Sequence, residues 1–452
     1  MPKSPELLYG LEDKPPVAAS IFVGFQHLLA IFGGILTAPL LIALGMGLDT
    51  VETTYLISSA FVISGFATFV QIHRVGILGA GLLSIQGTSF AFIGPLVFAY
   101  QSLIHGMTSA EALGVIFGTS AACAVLMMFL SLFVRQLKDV ITTNVAGATI
   151  LLLGVSLVHA TGENLMRDFH QVGGFDGEGL SHLLLAAGVF LIIVIISNMP
   201  NPWVRLSGIT IGLAAGITAS FAMGMLDLSG LSGSDLFFFP QAFRVPIAFD
   251  LQVMFLIMPI FLVSAMESIG DITATNNLSG LPTGGHDYWQ RMRGGILAGG
   301  VNSFIASIFC TFPNTTFSQN NGVIRLTGVA SRHVGLYVAA FLVVLGCLPI
   351  IAALFQRIPS VVIYGATLLM FMLVALSGLR VVQLNSPGAR DWFVVGLAIA
   401  LGYLVSLSAG KLTFLSAEVI MILQFPVSTG AMLAIVFEWA IPGRVRDVHA
   451  SA

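Results

Sequence analysis

Two carboxylates stand four residues apart in an apolar run, Glu267 and Asp271 in SAMESIGDITATNN. On a helix that spacing puts both on one face, and Gly270 between them leaves room for another backbone or a ligand. An ionisable side chain at the centre of a membrane-spanning helix costs about 2.5 to 3.5 kcal/mol on insertion scales, which marks it as functional by default. Two carboxylates stacked in a low-dielectric site resist being ionised together, so one can hold a proton. That is the chemistry a proton-coupled carrier needs. The alternative is that the pair lies at the cytoplasmic mouth of its span, merely solvated; this fits Asp271 better than Glu267, which follows an uninterrupted apolar run.

A second polar group interrupts a greasy stretch at SQNNGVIRLTG, residues 318–328. The amides Gln319 and Asn320 each need partners for a donor and an acceptor. At the start of a half-helix they sit beside free backbone N–H groups, which favour an anion or a carbonyl oxygen. A planar heterocycle with alternating N–H and C=O edges matches: carboxylate for its N–H groups, amide and backbone N–H for its carbonyls. Asn314 and Asn321 read instead as knitting the broken backbone together. Phe90, Phe92 and Phe317 could stack on such a ring, although position beside the breaks is all that sets them apart from the rest of the 34 phenylalanines. In FQHLLAIFGG, His27 is either a pH-sensitive proton relay or a hydrogen-bonded packing residue. Arg325 either snorkels to the interface or pairs with an acid.

The elements that must carry these residues are membrane spans. The chain has 452 residues, 56% hydrophobic and 9% charged, with mean hydropathy +0.97; soluble domains carry roughly 25% charged residues. Apolar runs give fourteen candidate segments, at 17–46, 53–72, 75–104, 109–133, 139–160, 182–198 and 205–226, then 250–277, 293–309, 312–331, 334–355, 360–378, 390–407 and 424–441. With the N-terminus inside, thirteen of the 18 Lys and Arg residues fall on the cytoplasmic side, four (Arg167, Arg244, Arg357 and Lys411) fall outside, and Arg325 is unassigned. That bias favours fourteen spans with both termini cytoplasmic over a twelve-span chain with two long loops. The third and tenth segments, SIQGTSFAFIGPL and FPNTTFSQNNG, read as a short extended piece followed by a half-helix. Non-helical backbone survives at membrane depth only when buried in protein or lining a wet cavity. Paired interruptions at the third position of two seven-span halves, necessarily opposite in orientation, point to a transporter's central site.

The three cysteines, Cys123, Cys310 and Cys347, lie in apolar runs and read as core residues. No metal-ligand spacing or nucleophile–base pairing is visible, so neither an enzyme, a metal, a cofactor nor a nucleic-acid partner is expected.

QNNGVIRLTG resembles the signature of the nucleobase-ascorbate transporter family, also called nucleobase cation symporter-2, through Gln319, Asn320, Gly322, Thr327 and Gly328. FQHLLA, SIQGTSFAFIGP and MESIGDITAT are similar to the same family, and Gln319 with the later VASR resembles its bacterial purine branch, carriers of xanthine and uric acid. The resemblance implies an all-α polytopic fold of two inverted seven-span repeats: core spans in 1–135 and 249–356, gate spans in 136–248 and 357–452. It implies proton symport of purines by an elevator-like movement of the core, in a homodimer in the bacterial inner membrane. By the same likeness Glu267, Gln319, Asn320, Phe90, Ala91 and Phe317 hold the substrate, while Asp271, His27 and Gln86 support the site or proton coupling. Two positions depart from xanthine carriers of this branch: Ala91 stands for Asn, and Gly299 for an acid or amide. The smaller Ala91 is expected to enlarge the pocket toward uric acid. The alternatives are a uracil–proton symporter of the same family and an anion carrier of the same architecture.

Overall fold

A computed structural model describes residues 7–136, 140, 142–201, 204–205, 207–226, 236–383, 387–412 and 414–442. Both chain ends, with Lys3, Arg444 and Arg446, lie outside the described residues, as does Lys138. The first half runs α1 (Val17–Met46), α2 (Thr50–Ile72), β1 (Gln86–Thr88), a 3-10 turn (Phe90–Phe92), α3 (Ile93–Leu103), α4 (Ser109–Ser131), α5 (Thr143–Gln171), α6 (Gly179–Ser197) and α7 (Gly208–Ala222). The second half runs α8 (Leu251–Leu278), α9 (Gly285–Ile308), β2 (Asn314–Thr316), α10 (Gln319–Thr327), α11 (Arg332–Gly346), α12 (Pro349–Gln356), α13 (Ser360–Gln383), α14 (Ala389–Ser408), α15 (Ala417–Leu423) and α16 (Pro426–Ala440).

Among the described residues eight helices are long and apolar enough to cross a membrane, or nine if α11 and α12, bent by 71°, form one span. The expectation of one continuous segment over 334–355 is therefore corrected; the expected segment 424–441 appears as α16, with a second break separating it from the short α15. Both breaks have the same cause. Pro349 and Pro426 open α12 and α16, where a missing N–H costs nothing but the preceding residue is forced out of helical geometry; Leu348 and Phe425 have ψ of 88° and 111°.

The two broken segments meet. β1 and β2 pair antiparallel with Gln86 opposite Thr316, Gly87 opposite Thr315 and Thr88 opposite Asn314. The ladder continues through Phe317 N–H to the Ile85 carbonyl (2.9 Å) and Ser89 N–H to the Pro313 carbonyl (3.1 Å). Backbone groups that no helix satisfies are thus satisfied by the opposite half of the chain.

Packing follows two groups of helices. α2 lies against α11, and α4 against α9, whereas α5 lies against α13, α6 and α16. Small residues allow the close approaches: a Cβ on Gly154 of α5 would stand 2.3 Å from the Ala375 backbone nitrogen of α13. The segment 236–250, which leads from α7 to α8, is fixed to the first group. Phe238 N–H donates to Cys347 (2.9 Å), Phe243 N–H to Ile308 (2.8 Å) and Ala248 N–H to Gly114 (3.1 Å). It runs in a groove that Gly114 and Gly118 open on α4, where added Cβ atoms would meet the Pro246 and Ala248 carbonyl oxygens at 1.9 and 2.0 Å.

Candidate functional site

The strand pair places a cavity of about 40 Å³ between the two helix groups. Glu267 and Asp271 line it from α8, Phe90 from the 3-10 turn, and Thr315 through Gln319 from β2 and the start of α10. Ile150 of α5 and Val374 and Ser377 of α13 close the opposite wall.

The carboxylates are partly buried, and hydroxyls from the strands serve them. Glu267 Oε2 accepts from Ser89 Oγ (3.3 Å) and Thr315 Oγ1 (3.4 Å), and Asp271 Oδ2 accepts from Thr316 Oγ1 (2.8 Å). Thr315 and Thr316 are neighbours in a strand, so the helical four-residue step between the carboxylates keeps them within reach of two successive hydroxyls. Gly270 stands with Val381 and Ile150 at 3.8 and 3.9 Å from an added Cβ, facing the second helix group at ordinary contact distance.

The aromatic residues form a corner. Phe90 meets Phe317 at 5.9 Å between centroids and 62°, and Phe371 at 5.3 Å and 81°. The Phe317 ring fits between two glycines: a Cβ on Gly34 of α1 would lie 2.5 Å from Cε1, and one on Gly87 of β1 2.5 Å from Cε2. Phe92, also expected near a ring, packs away against Phe261 at 4.9 Å.

Gln319 lines the cavity and Asn320 does not. Consecutive helical residues point about 100° apart, and Asn320 turns inward, 1% exposed, donating from Nδ2 to the Leu83 carbonyl. His27 of α1 is 0% exposed and does not line the cavity either. In this structure His27 and Asn320 are buried outside the cavity lining. Ala91 and Gln86 are also buried and do not line the cavity; the 3-10 turn presents Phe90 to it. Gly299 faces α4, with Met127 Cε 3.3 Å from an added Cβ. Asn314 contributes through its main chain, its backbone N–H donating to Ser303 Oγ (3.1 Å), and the Asn321 side-chain oxygen accepts from Thr275 Oγ1 (2.7 Å). Arg325 is exposed and makes no ion pair among the described residues.

Sequence reasoning missed Ile150, Val374 and Ser377, whose apolar surroundings carry no signal. It also missed the hydroxyls of Ser89, Thr315 and Thr316, although the doubled threonine in FPNTTF sits within the interruption it had singled out.

A family model named Xan_ur_permease and described as Permease family matches residues 18–410. The xanthine permease XanP of Escherichia coli (strain K12) is 36% identical over 439 residues, covering 97% of this chain and 95% of its own. XanQ of the same organism is 36% identical over 449 residues, covering 98% and 95%. Among solved structures, the transmembrane domain of a cyanobacterium bicarbonate transporter, BicA, superposes with TM-score 0.56 at 14% identity, covering 95% of this chain and 99% of that one. SLC26A9 gives 0.58 at 15% identity, covering 94% and 66%. At such identity these structures speak for the fold, that of seven-plus-seven inverted-repeat transporters. With a family match spanning most of its length and relatives aligned nearly end to end, the chain belongs to the nucleobase-ascorbate transporter family of permeases.

Proposed function

We propose that the protein is a secondary transporter that imports purines, xanthine or uric acid, by proton symport. The observation that carries this is the single cavity wall on which Glu267 and Gln319 converge beside the Phe90–Phe317 corner. A carboxylate accepts from purine N–H groups, the amide serves a carbonyl or N–H edge, and the aromatic rings take the flat faces. Asp271, next on the same helical face, takes part in proton coupling. Gln86, His27 and Asn320 support this wall from behind, and Ala91 shapes the turn that presents Phe90. Relatives that carry xanthine in their names support the substrate class.

The cavity, at about 40 Å³, holds a few waters and not a purine. Substrate enters when Ile150, Val374 and Ser377 draw back from the carboxylate wall. We take residues 1–135 and 249–356 as the moving core and 136–248 and 357–452 as the gate, an elevator in a homodimer of the bacterial inner membrane with cytoplasmic termini. The anion-carrier alternative draws on the bicarbonate transporter's fold, but a wall carrying Glu267 and Asp271 disfavours anions.

Uptake of radiolabelled xanthine, uric acid, uracil and guanine in cells lacking their own carriers tests the reading. Uptake that survives collapse of the proton gradient removes symport, and carriage of uracil alone removes the purine assignment. Glu267→Gln should cut uptake at least tenfold with normal membrane levels; normal uptake would exclude Glu267 from the site.

A further inference from the structure

A second cavity, about 230 Å³, shares no lining residue with the first and lies where the C-terminal end of α2 meets the N-terminal end of α11. The segment before α1 roofs it. Leu8 N–H donates to Gly328 (2.8 Å), Ala330 N–H to Tyr9 (2.9 Å) and Arg332 N–H to Leu11 (3.1 Å), while Ser331 Oγ donates to Asp13 (2.5 Å). This strap brings Glu12 and Lys14 over the opening.

The lining is divided by chemistry. Lys14, His73, Arg332 and His333 supply the polar side and Ile72 and Leu336 the apolar side, with Glu12 the one acid, paired to Arg332 at 2.5 Å. His73 Nδ1 donates to the Phe69 carbonyl (3.1 Å), which leaves Nε2 as its other polar atom. Arg74 and Arg332 lie within electrostatic reach of Arg291, together with the acids Glu12 and Asp287, so with Lys14 the formal charges of the surroundings favour positive. Close in sequence to the lining residues, Leu8 in the strap, Val17 at the start of α1 and Val75 and Ile77 after His73 are 70%, 64%, 61% and 66% exposed. Cations over an apolar floor, at the ends of membrane helices and flanked by uncovered apolar side chains, match one kind of ligand: a phosphate group attached to hydrocarbon. A free phosphate would leave the floor and the flanking residues unused.

We propose that this pocket binds the phosphate headgroup of an anionic phospholipid, with Lys14 and Arg332 at the phosphate and Ile72 and Leu336 along the glycerol and chain. The bound lipid holds the strap to α2 and α11, and through Gly328 it steadies the end of α10.

Thermal unfolding of the purified full-length protein in detergent, with phosphatidylglycerol, phosphatidylcholine or inorganic phosphate added, tests this. Phosphatidylglycerol should raise the midpoint by several degrees, with phosphatidylcholine and inorganic phosphate doing little. The rise should largely disappear in Lys14→Gln/Arg332→Gln and be retained in Arg332→Lys. If loss of the Glu12 pair prevents Arg332→Gln from folding, Lys14→Gln/His73→Gln, which leaves the strap's hydrogen bonds in place, carries the comparison. An undiminished rise in that variant overturns the site. An equal rise with inorganic phosphate overturns the lipid and leaves a simple anion pocket.

Discussion

Gly87→Ala tests whether the position of Phe317 sets substrate affinity. The new methyl would stand 2.5 Å from Phe317 Cε2 and 2.8 Å from Ile35 Cγ1. Ordinary contact begins at 3.4 Å, so the ring must give by about 0.9 Å, and Gly34 stands against its opposite edge. The ring's remaining freedom is toward the cavity it lines. Overpacking of this kind costs about 1–3 kcal/mol. If that cost falls on the loaded site, purine affinity drops by about 5- to 140-fold, at about 1.4 kcal/mol per tenfold. Concentration-dependent uptake of xanthine and uric acid, normalised to the amount of protein in the membrane, measures it. The expected result is a raised KM at near-normal levels, and Gly34→Ala should behave alike because its methyl meets the other edge. If the cost falls on folding, the level drops instead, and adding Phe317→Leu should restore it. An unchanged KM at a normal level in both glycine variants would refute the claim that the ring's seat controls binding.

Three further outcomes follow from particular contacts. Arg390 is held by Glu438 (3.0 Å) and Asp391 (3.3 Å), and Asn144 donates to both acids; with the Glu438 side chain 2% exposed, Glu438→Gln should cost about 3–5 kcal/mol, and Arg390→Met/Glu438→Leu should recover much of the melting temperature. Asn320→Ala removes the donor to Leu83 and should lower stability by about 1–3 kcal/mol, reducing membrane level more than it changes KM; the opposite split would put Asn320 in contact with substrate. Gly118→Ala drives a methyl onto the Ala248 carbonyl at 2.0 Å, whereas Gly106→Ala meets nothing within 4 Å, so only the first should depress protein level on a membrane immunoblot.

The interrupted segments were readable because polar and proline residues at membrane depth demand an explanation, and the structure turns both into strand and half-helix. The carboxylate pair was readable for the same reason, and its spacing fixed its common face. What could not be read was partnership across the chain. Nothing local in QGT or NTT says that Gln86 will sit opposite Thr316, and Ile150 looks like any other apolar residue of a span. The different placements of Gln319 and Asn320 follow from helix geometry: two adjacent amides diverge by about 100°, so they face different surroundings. The break at Pro349 was likewise visible as a proline, but hydropathy alone runs straight across it.

The pairing of β1 with β2 has a bearing on selectivity. Six residues, three from each half of the chain, hold Phe90 and Gln319 on one hydrogen-bonded brace, and the hydroxyls on Glu267 and Asp271 come from that brace or its edge. In the proposed mechanism the purine-reading groups therefore travel as one cassette, and only their neighbours on α5 and α13 are exchanged. A cassette of this kind reads its cargo with the same contacts from either side of the membrane. The order in which purine analogues compete should then be the same for import and for export, whatever the difference in rates.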